Sequence, residues 1–414
     1  MKILFVHQNF PGQYRHVAAA LAQTPGWEVM ALGDVKNIKQ RPAIPGVKLA
    51  GYPTPQGATP RTHHYVTPLE GAVRRGQAVA KACLELKKRG FTPDLIHAHP
   101  GWGESLFIKD IFPDAHVTLY CEFFYRAQGS DVGFDPEYPS SFDDQFRVRV
   151  KNSTHLLSLE GSDAGISPTQ WQKKQFPREY QERITVIHEG VDTEVVKPDP
   201  KAEVALTRAG LKLTPDDEVI TYVARNLEPY RGFHIFMRSL PEILRRRPKA
   251  HVIIVGADGV SYGQSLPDKQ TYKKKLLEEL DGKLDAQRVH FLGQVPYAGL
   301  VRIYQVSSVH VYLTYPFVLS WSLLEAMSSG ALIVGSRTPP LEEVVTDGKN
   351  GFLTDFFDIN ALAERVDQTL ERRDELKKVR ERARKTVVEN YDLKKICLPK
   401  QLKLLGVKQQ KKKS

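Results

Sequence analysis

Residues 315–351 read YPFVLSWSLLEAMSSGALIVGSRTPPLEEVVTDGKNG, which combines a loop, a helix pattern, a strand pattern and a second loop. Apolar residues at helical spacing predict a helix over residues 320–328, and this helix contains a single acidic residue, Glu325. Gly330 is a residue type that commonly ends a helix. The uninterrupted apolar run at 331–335 predicts a short buried strand. This order of elements is typical of an α/β protein.

Glu325 is the candidate functional residue of this stretch. It lies near the start of a helix that follows a loop, and ligands of open α/β sheets bind at such positions. The alternative is an ordinary helix carboxylate in contact with solvent. Further along, Thr338-Pro339-Pro340 and the dipeptides Asp347-Gly348 and Asn350-Gly351 predict turns.

The rest of the second half alternates strands with helices. Residues 184–192 open this half, and apolar runs predict strands at 218–225, 251–256, 289–293, 309–314, 331–335 and 351–354. Helical periodicity predicts helices at 232–247, 268–281, 298–306, 320–328, 359–372, 373–390 and 393–406. Because these strands are nearly continuous apolar runs, they predict a parallel, doubly wound sheet with both faces covered.

The first half has the same organisation. Strands are predicted at 2–7, 27–32, 47–52, 94–99, 116–120 and 165–167. A loop containing Gly12 leads into a helix at 13–24, but it lacks the GxGxxG pattern of dinucleotide-binding proteins. Free backbone N–H groups at the start of this helix make Gly12 a candidate contact for an anion or substrate. A plain turn glycine is the alternative.

Two histidines close the strand at 94–99, directly before the glycine-rich loop 100–103. A strand that ends in this way is a typical site of chemistry in α/β proteins, and His99 is the candidate. We expect His97 to be structural. The segment 121–142 is long, aromatic and acidic, which is typical of a specificity loop.

The helix predicted at 68–89 should pack its apolar residues against the sheet and expose a basic side. The residues expected at its buried face are Leu69, Val73, Ala80 and Leu84. Such a basic side suits an anionic ligand or an anionic membrane surface.

At 414 residues, the chain is long enough for two domains, with a hinge expected at 175–200. We predict an N-terminal domain over 1–180 and a C-terminal domain over 181–390. The final segment, 391–414, is predicted to be a helix that returns toward the first domain, followed by a basic tail.

The composition is that of an ordinary globular protein, with 41% apolar and 26% charged residues. Three widely spaced cysteines argue against a disulfide framework or a zinc site and favour a reducing compartment. No signal peptide is recognisable, and no apolar run approaches the roughly 20 residues of a membrane span. We therefore expect a soluble cytoplasmic protein. The net charge of +11 accompanies no nucleic-acid-binding motif, so nucleic acid is not an expected partner.

Segments spread over nearly the whole chain match the motifs of one known family. They are the His97-Ala98-His99 triplet, Ile187–Thr193 (IHEGVDT), Val223–Gly232 (VARNLEPYRG), His251–Asp258, Val289–Gly293 and the stretch 315–351. Taken in order, they resemble retaining glycosyltransferases of family 4. The resemblance implies the GT-B fold, in which two Rossmann-like, doubly wound domains face a cleft.

The resemblance implies how a nucleotide-sugar donor is held. Arg225 and Arg231, at the two ends of a tight loop, would clamp the diphosphate as negative charge builds on it. The backbone N–H groups of Val318, Leu319 and Ser320 would bind sugar hydroxyls or phosphate. The chain contains no Asp-x-Asp sequence, so no metal and no cofactor beyond the donor is expected.

The resemblance also assigns roles around the transferred sugar. Glu325 matches the second glutamate of the family's E-x7-E motif and would accept hydrogen bonds from the nucleotide ribose. His99 would contact the donor sugar as the glycosidic bond breaks, and Gly12 would lie in the loop near donor and acceptor. The first glutamate of the motif, which normally binds the transferred sugar, is replaced by Phe317.

The resulting prediction is a metal-independent hexosyltransferase of a subgroup that lacks the first motif glutamate. It would move a hexose-type sugar from a UDP- or GDP-linked donor to a glycan, lipid-linked or small-molecule acceptor, as in polysaccharide biosynthesis. Peripheral contact with the inner face of a membrane belongs to this expectation. The alternative is a non-catalytic protein that binds nucleotide sugars or assists polysaccharide assembly. An epimerase on the same fold would require an acidic or basic pair that the sequence does not show.

Overall fold

The computed structural model describes residues 1–407, and the chain divides into two compact units. The first unit comprises residues 1–189 and the segment that begins at Cys397, and the second comprises residues 190–396. The boundary therefore follows Glu189, later than the expected boundary after residue 180. The basic tail Lys411–Lys413 lies outside the described residues.

The first unit contains a sheet of seven parallel strands in the order β3-β2-β1-β4-β5-β6-β7. The strands are β1 Lys2–Val6, β2 Glu28–Asp34, β3 Val47–Tyr52, β4 Leu95–Ala98, β5 His116–Tyr120, β6 Ala164–Ser167 and β7 Ile184–Val186. The helices of this unit up to the boundary are α1 Arg15–Ala22, α2 Val35–Ile38, α3 Thr67–Lys88, α4 Ile108–Ile111, α5 Phe142–Lys151, α6 Ser153–Glu160, α7 Gln170–Gln175 and α8 Arg178–Gln181. The predicted parallel α/β organisation is confirmed.

Strand β1 shows why these strands are almost entirely apolar. Ile3 and Phe5 pack on one face of the sheet with residues of α1, whereas Leu4 and Val6 pack on the other face with residues of α3. Because both faces are covered, every side chain of the strand interior must be apolar. Polar groups are consequently found at the strand ends.

Helix α3 buries a different face from the one predicted. Its buried residues are Ala72, Gly76, Val79 and Cys83, whereas Val73 and Leu84 are 41% and 48% exposed. The helix lies so close to the loop after β4 that a Cβ atom on Gly76 would come within 2.8 Å of the Gly103 carbonyl oxygen. Small residues are needed at this contact, and hydrophobicity alone does not reveal that requirement.

The second unit contains a six-stranded sheet with the order β12-β11-β10-β13-β14-β15, in which every pair is parallel, and an antiparallel hairpin of β8 and β9. The strands are β8 Val204–Leu206, β9 Leu211–Leu213, β10 Val219–Asn226, β11 His251–Ala257, β12 Val289–Gly293, β13 Val309–Tyr312, β14 Leu332–Ser336 and β15 Phe352–Thr354. The six strands of the large sheet correspond to those predicted, whereas the hairpin was not predicted.

The helices of the second unit are α9 Phe233–Arg246, α10 Tyr272–Glu279, α11 Tyr297–Val306, α12 Trp321–Ser329, α13 Pro339–Glu342, α14 Ile359–Glu371 and α15 Lys377–Asn390. The turn predicted at Thr338-Pro339-Pro340 is wrong, because these prolines begin α13. Proline is tolerated in the first turn of a helix, where its missing N–H would have no intrahelical partner.

The last described helix, α16 (Leu398–Leu404), belongs to the first unit, where Leu398 and Leu402 pack on the apolar cluster around α1. A π-helical turn, Leu393–Cys397, precedes it, in place of the start of the helix predicted at 393–406. Among residues 1–407, no helix combines the length and the apolar character needed to cross a membrane.

A buried polar network lies beneath α3 in the first unit. Glu104 is completely buried and accepts a hydrogen bond of 3.1 Å from the Tyr52 hydroxyl. The Arg75 guanidinium lies 4.0 Å from Glu104 Oε1 and 3.5 Å from Asp34 Oδ2. Burial raises the pKa of Glu104, and the Arg75 charge acts in the opposite direction. Arg75 therefore balances two buried carboxylates.

Replacing Arg75 with Ala leaves Glu104 and Asp34 without their cation, so we expect the apparent free energy of unfolding to fall by about 3 kcal/mol. Urea unfolding followed by circular dichroism measures this change. The matched control is Arg74→Ala, because Arg74 pairs with Glu70 nearer the helix surface and should cost at most about 0.5 kcal/mol. Equal losses in the two variants would contradict this interpretation.

Candidate functional site

In the second unit, Arg231 is a buried cation in the connection that follows β10. It ends the 3₁₀ turn Pro229–Arg231 and is only 8% exposed. Its Nη1 donates hydrogen bonds of 2.8 Å to Thr314 Oγ1 and to the Val318 carbonyl. Among residues 1–407, no carboxylate forms an ion pair with this guanidinium. Despite burial, which acts to lower it, the pKa of Arg231 is raised by neighbouring groups that include the Glu228 carboxylate, which does not pair with it. A buried charge that lacks a directly paired opposite charge favours an external anion.

Gly232 explains the tightness of this turn. Its φ is +66°, in the left-handed region, and a Cβ atom there would come within 2.4 Å of Leu313 Cβ. Only glycine allows the chain to pass so close to the end of β13. Arg225 lies at the exposed end of β10, and no carboxylate in the described part of the chain pairs with it. The same connection therefore presents both predicted arginines.

Glu228, which the sequence did not single out, anchors the neighbouring loop. It is buried and accepts hydrogen bonds from the backbone N–H groups of Ser261, Tyr262 and Gly263 at 3.0, 3.1 and 2.9 Å. This carboxylate therefore organises the loop after β11. No local pattern distinguishes it from an exposed loop glutamate, because its partners are more than thirty residues away in sequence.

The position of the missing motif glutamate is apolar and aromatic. Phe317 is buried, and its ring lies 4.8 Å from that of Tyr262 and 5.3 Å from that of Tyr230, measured between centroids. The Arg231 guanidinium lies 5.6 Å and 5.9 Å from the ring centroids of Tyr262 and Phe317. Contact with aromatic faces partly compensates a buried cation without neutralising it.

The backbone before α12 differs in part from the prediction. The Ser320 N–H donates to the Tyr312 hydroxyl at 2.7 Å, so the prediction of a free N–H donor at Ser320 is wrong. Ser320 instead occupies the N-cap position of α12, where its hydroxyl accepts from the Ser322 N–H. Val318 contributes its carbonyl to Arg231. The N–H groups of Val318 and Leu319 remain candidate donors.

Glu325 is not a solvated helix carboxylate. It lies within α12, is 8% exposed, and its Oε1 accepts a hydrogen bond of 2.9 Å from the Tyr297 hydroxyl. Burial raises the pKa of Glu325, and the hydrogen bond from Tyr297 acts in the opposite direction. Tyr297, the half-exposed first residue of α11, was missed by the sequence analysis because the pair spans two helices.

In the first unit, the His99 ring is fixed by contacts with two aromatic rings and by a backbone hydrogen bond. Its ring is 3% exposed and is stacked between the rings of Trp102 and Tyr120, at centroid distances of 4.5 and 5.5 Å. The Gly101 N–H donates to His99 Nδ1 at 3.1 Å, so the neutral ring carries its proton on Nε2. That nitrogen lies 3.4 Å from Glu122 Oε2, at ion-pair distance but without hydrogen-bond geometry.

His7, at the end of β1, is connected to the same carboxylate. The Asn9 N–H donates to His7 Nδ1, so Nε2–H donates to Gln13 Oε1 at 2.9 Å. Gln13 Nε2 in turn donates to Glu122 Oε1 at 3.1 Å. Burial, followed by the neighbouring His99, lowers the pKa of His7 to about 3. No pattern in the sequence connects these residues, which lie in separate segments.

Gly12 has a structural reason to be glycine. Its φ is +46°, and a Cβ atom would come within 2.8 Å of the His7 ring. A side chain here would displace the imidazole. His97 is structural, as predicted, because its buried ring lies with Nδ1 3.0 Å from the Thr118 carbonyl and donates to it. Burial lowers the pKa of His97 to about 4.

Two sequence families match successive parts of the chain. Residues 25–196 match the family described as Glycosyl transferase family 4 group, and residues 206–386 match Glycosyl transferases group 1. The D-inositol 3-phosphate glycosyltransferase of Corynebacterium efficiens is 24% identical over 292 residues. The matched stretch covers 68% of this chain and 64% of that relative, so the chain spans less than two thirds of the relative's length.

Solved structures match almost the whole chain. Anabaena HepE in complex with UDP and glucose has a TM-score of 0.68 at 19% identity, over 98% of this chain and 100% of that one. Sucrose-phosphate synthase from Thermosynechococcus elongatus has the same TM-score and identity, over 98% of each chain. At this level of identity the likeness shows the fold alone.

Replacing Tyr297 with Phe removes a hydrogen bond that stabilises the ionised carboxyl of Glu325. We therefore expect the pKa of Glu325, already raised by burial, to rise further, so that the carboxyl takes up its proton at a higher pH than in the unaltered chain. Carbon-13 NMR of the Glu325 carboxyl during a pH titration measures the shift.

The matched control for this titration is Tyr65→Phe. It removes a tyrosine hydroxyl that donates to the exposed carboxylate of Asp143 in the first unit, and it should leave the Glu325 titration unchanged. An equal or lower pKa of Glu325 in Tyr297→Phe would show that the hydrogen bond does not stabilise the charged form.

Proposed function

Because the chain belongs to family 4 of the glycosyltransferases, a family of enzymes with the GT-B fold, we propose that it is a retaining, metal-independent hexosyltransferase. Its donor is a UDP- or GDP-linked hexose, and its acceptor is a glycan, a lipid-linked sugar or a small molecule. The observation that carries this proposal is the buried guanidinium of Arg231, which has no carboxylate partner among the described residues.

The diphosphate of a nucleotide sugar supplies the anion that Arg231 lacks. A guanidinium binds phosphate oxygens through paired hydrogen bonds, and this interaction is stronger when the guanidinium is buried. Arg225, on the same connection, adds a second positive charge from the exposed side. Together they would stabilise the negative charge that develops on the leaving diphosphate. A metal ion has this role in other transferases.

The ribose of the donor is assigned to Glu325. A carboxylate accepts several hydrogen bonds, so the carboxyl held by Tyr297 at one oxygen can still accept from ribose hydroxyls. The N–H groups of Val318 and Leu319 lie just before this helix and would bind a phosphate or sugar oxygen. Retention through attack on the same face of the sugar requires no enzyme nucleophile.

The comparisons direct the choice of substrates to test. UDP and glucose are bound in the HepE structure, and the matched relatives carry the name D-inositol 3-phosphate glycosyltransferase. UDP-glucose and inositol 3-phosphate are therefore the first donor and acceptor to try. Cys83, Cys121 and Cys397 are buried and form no disulfide among the described residues, which suits the reducing cytoplasm that we propose as the location.

The second candidate function is a non-catalytic protein that binds nucleotide sugars. Phe317 favours it, because an aromatic ring cannot accept hydrogen bonds from sugar hydroxyls as a carboxylate does. The two functions differ in turnover and not in donor binding.

The deciding experiment incubates the full chain with UDP-, GDP- and ADP-linked sugars, with and without acceptors, in the presence of EDTA. Released nucleotide and the anomeric configuration of the product are followed by NMR. We expect turnover with retained configuration. Tight binding without consumption of any donor would establish the non-catalytic function, and inactivity restored only by a divalent cation would contradict metal independence.

Replacing Arg231 tests the donor site directly. Arg231→Ala should weaken UDP binding by about 10- to 100-fold, as expected for lost hydrogen bonds to a charged group. Arg231→Lys keeps the charge but not the planar fork, so it should recover only part of the affinity. Calorimetric titration with UDP measures the effect. Arg245→Ala, which removes an exposed arginine paired with Glu242, is the control and should bind UDP normally.

A further inference from the structure

Backbone N–H groups fix which ring nitrogen carries the proton in the two histidines near Glu122. The backbone N–H groups of Gly101 and Asn9 can only donate, so they hold Nδ1 of His99 and of His7 as acceptors. Both rings therefore carry their proton on Nε2. His99 Nε2 lies 3.4 Å from Glu122 Oε2 without hydrogen-bond geometry, whereas His7 donates to Gln13, whose side-chain amide donates to Glu122 Oε1.

The hydrogen bond of 3.1 Å from Gln13 Nε2 fixes the orientation of the Glu122 carboxyl. The backbone is held as well, because the Glu122 carbonyl accepts a hydrogen bond of 2.6 Å from Gln172 Nε2. The result is a carboxylate whose position is set from three separate segments of the first unit. Groups held so firmly are suited to binding, since little conformational freedom is lost on contact with a ligand.

Exposure distinguishes the carboxylate from the histidines behind it. The His99 ring is buried and its Nε2 is inaccessible to solvent, whereas the Glu122 side chain is 32% exposed. His7 is buried too. Trp102, which stacks on His99, is also exposed and offers an apolar ring face nearby. A ligand that binds near His99 therefore contacts the partly exposed side chains of Glu122 and Trp102, and not the buried imidazoles.

We propose that Glu122, and not His99, is the group of the first unit that hydrogen-bonds sugar hydroxyls. The exposed part of the carboxylate accepts hydrogen bonds from sugar hydroxyls, and the Trp102 ring packs against the apolar face of the sugar. His99, Gln13 and His7 are positioning residues that hold the carboxylate in its orientation. The inference rests on the proposed function and names a residue that recognises its substrate.

The hydroxyl belongs either to the transferred sugar or to the acceptor. The two sources share the same chemistry, namely a polyhydroxylated ring that donates hydrogen bonds. They are distinguished by whether Glu122 affects binding of the donor or binding of the acceptor alone.

The hydrogen-bond relay is tested without any ligand. In the full chain, Glu122→Gln has one acceptor oxygen for two donors, so we expect the ring nitrogen resonances of both His99 and His7 to shift in nitrogen-15 NMR. Glu85→Gln, which makes the same change at an exposed carboxylate of α3, should shift neither. If His7 does not respond to Glu122→Gln, the relay through Gln13 does not exist and the proposal falls.

Ligand binding is tested with UDP, UDP-glucose and myo-inositol, by calorimetry for the nucleotides and by saturation-transfer NMR for inositol. We expect Glu122→Gln to bind UDP normally and to weaken either UDP-glucose or inositol by about tenfold or more, as for a lost hydrogen bond to a charged group. Weaker UDP-glucose identifies the transferred sugar, and weaker inositol identifies the acceptor. Unchanged affinity for both overturns the proposal.

A double-mutant comparison separates the roles of Glu122 and His99. If His99 acts through Glu122, the variant Glu122→Gln/His99→Gln binds the affected ligand no more weakly than Glu122→Gln alone. Additive losses would mean that His99 itself touches the sugar. Failure of the proposed function has a different signature, because Arg231→Ala and the unaltered chain would then bind UDP equally, whatever the result at Glu122.

Discussion

Burial of both faces of each parallel sheet is the constraint on which the rest of this structure depends. Strand β1 is covered on both faces and its interior is entirely apolar. In β10, the buried Thr221 is accommodated because its hydroxyl is hydrogen-bonded to Ser307 and His310. Polar groups are consequently found where strands end and connections begin. His7 and His99 follow strands of the first unit, whereas in the second unit Arg225 lies at the end of β10 and Arg231 follows it. The packing of the core therefore determines where in each sheet the candidate functional residues lie.

Buried charges in this protein are of two kinds, and their partners tell them apart. Glu104 is balanced by Arg75 and bonded by Tyr52, which is the pattern of a charge retained for stability. Arg231 is equally enclosed, yet it contacts a hydroxyl, a carbonyl and aromatic rings instead of a carboxylate. A charge that the fold leaves without its counter-ion points to a ligand that supplies one.

The contacts of each side chain also distinguish His99 from Glu122. An imidazole stacked between two rings, with one nitrogen bonded to the backbone, has little freedom to meet a substrate, whereas a carboxylate held at its inner side presents its outer side to solvent. Glu325 has a related arrangement, because Tyr297 holds one oxygen of a carboxylate within a buried helix. In each unit, a neighbouring side chain orients the carboxylate that we assign to a sugar or ribose hydroxyl.

The parallel α/β organisation and the family could be predicted from the sequence alone, because apolar runs, helical periodicity and motif spacing are local along the chain. The same patterns identified Arg225, Arg231, Glu325 and His99 as candidates. Three facts required the folded structure: which face of α3 is buried, that Ser320 uses its N–H internally, and that Glu122, Gln13 and His7 lie with His99. These facts depend on contacts between distant segments, where the close approach of backbone to backbone and the direction of each hydrogen bond are set by packing. No local pattern records them.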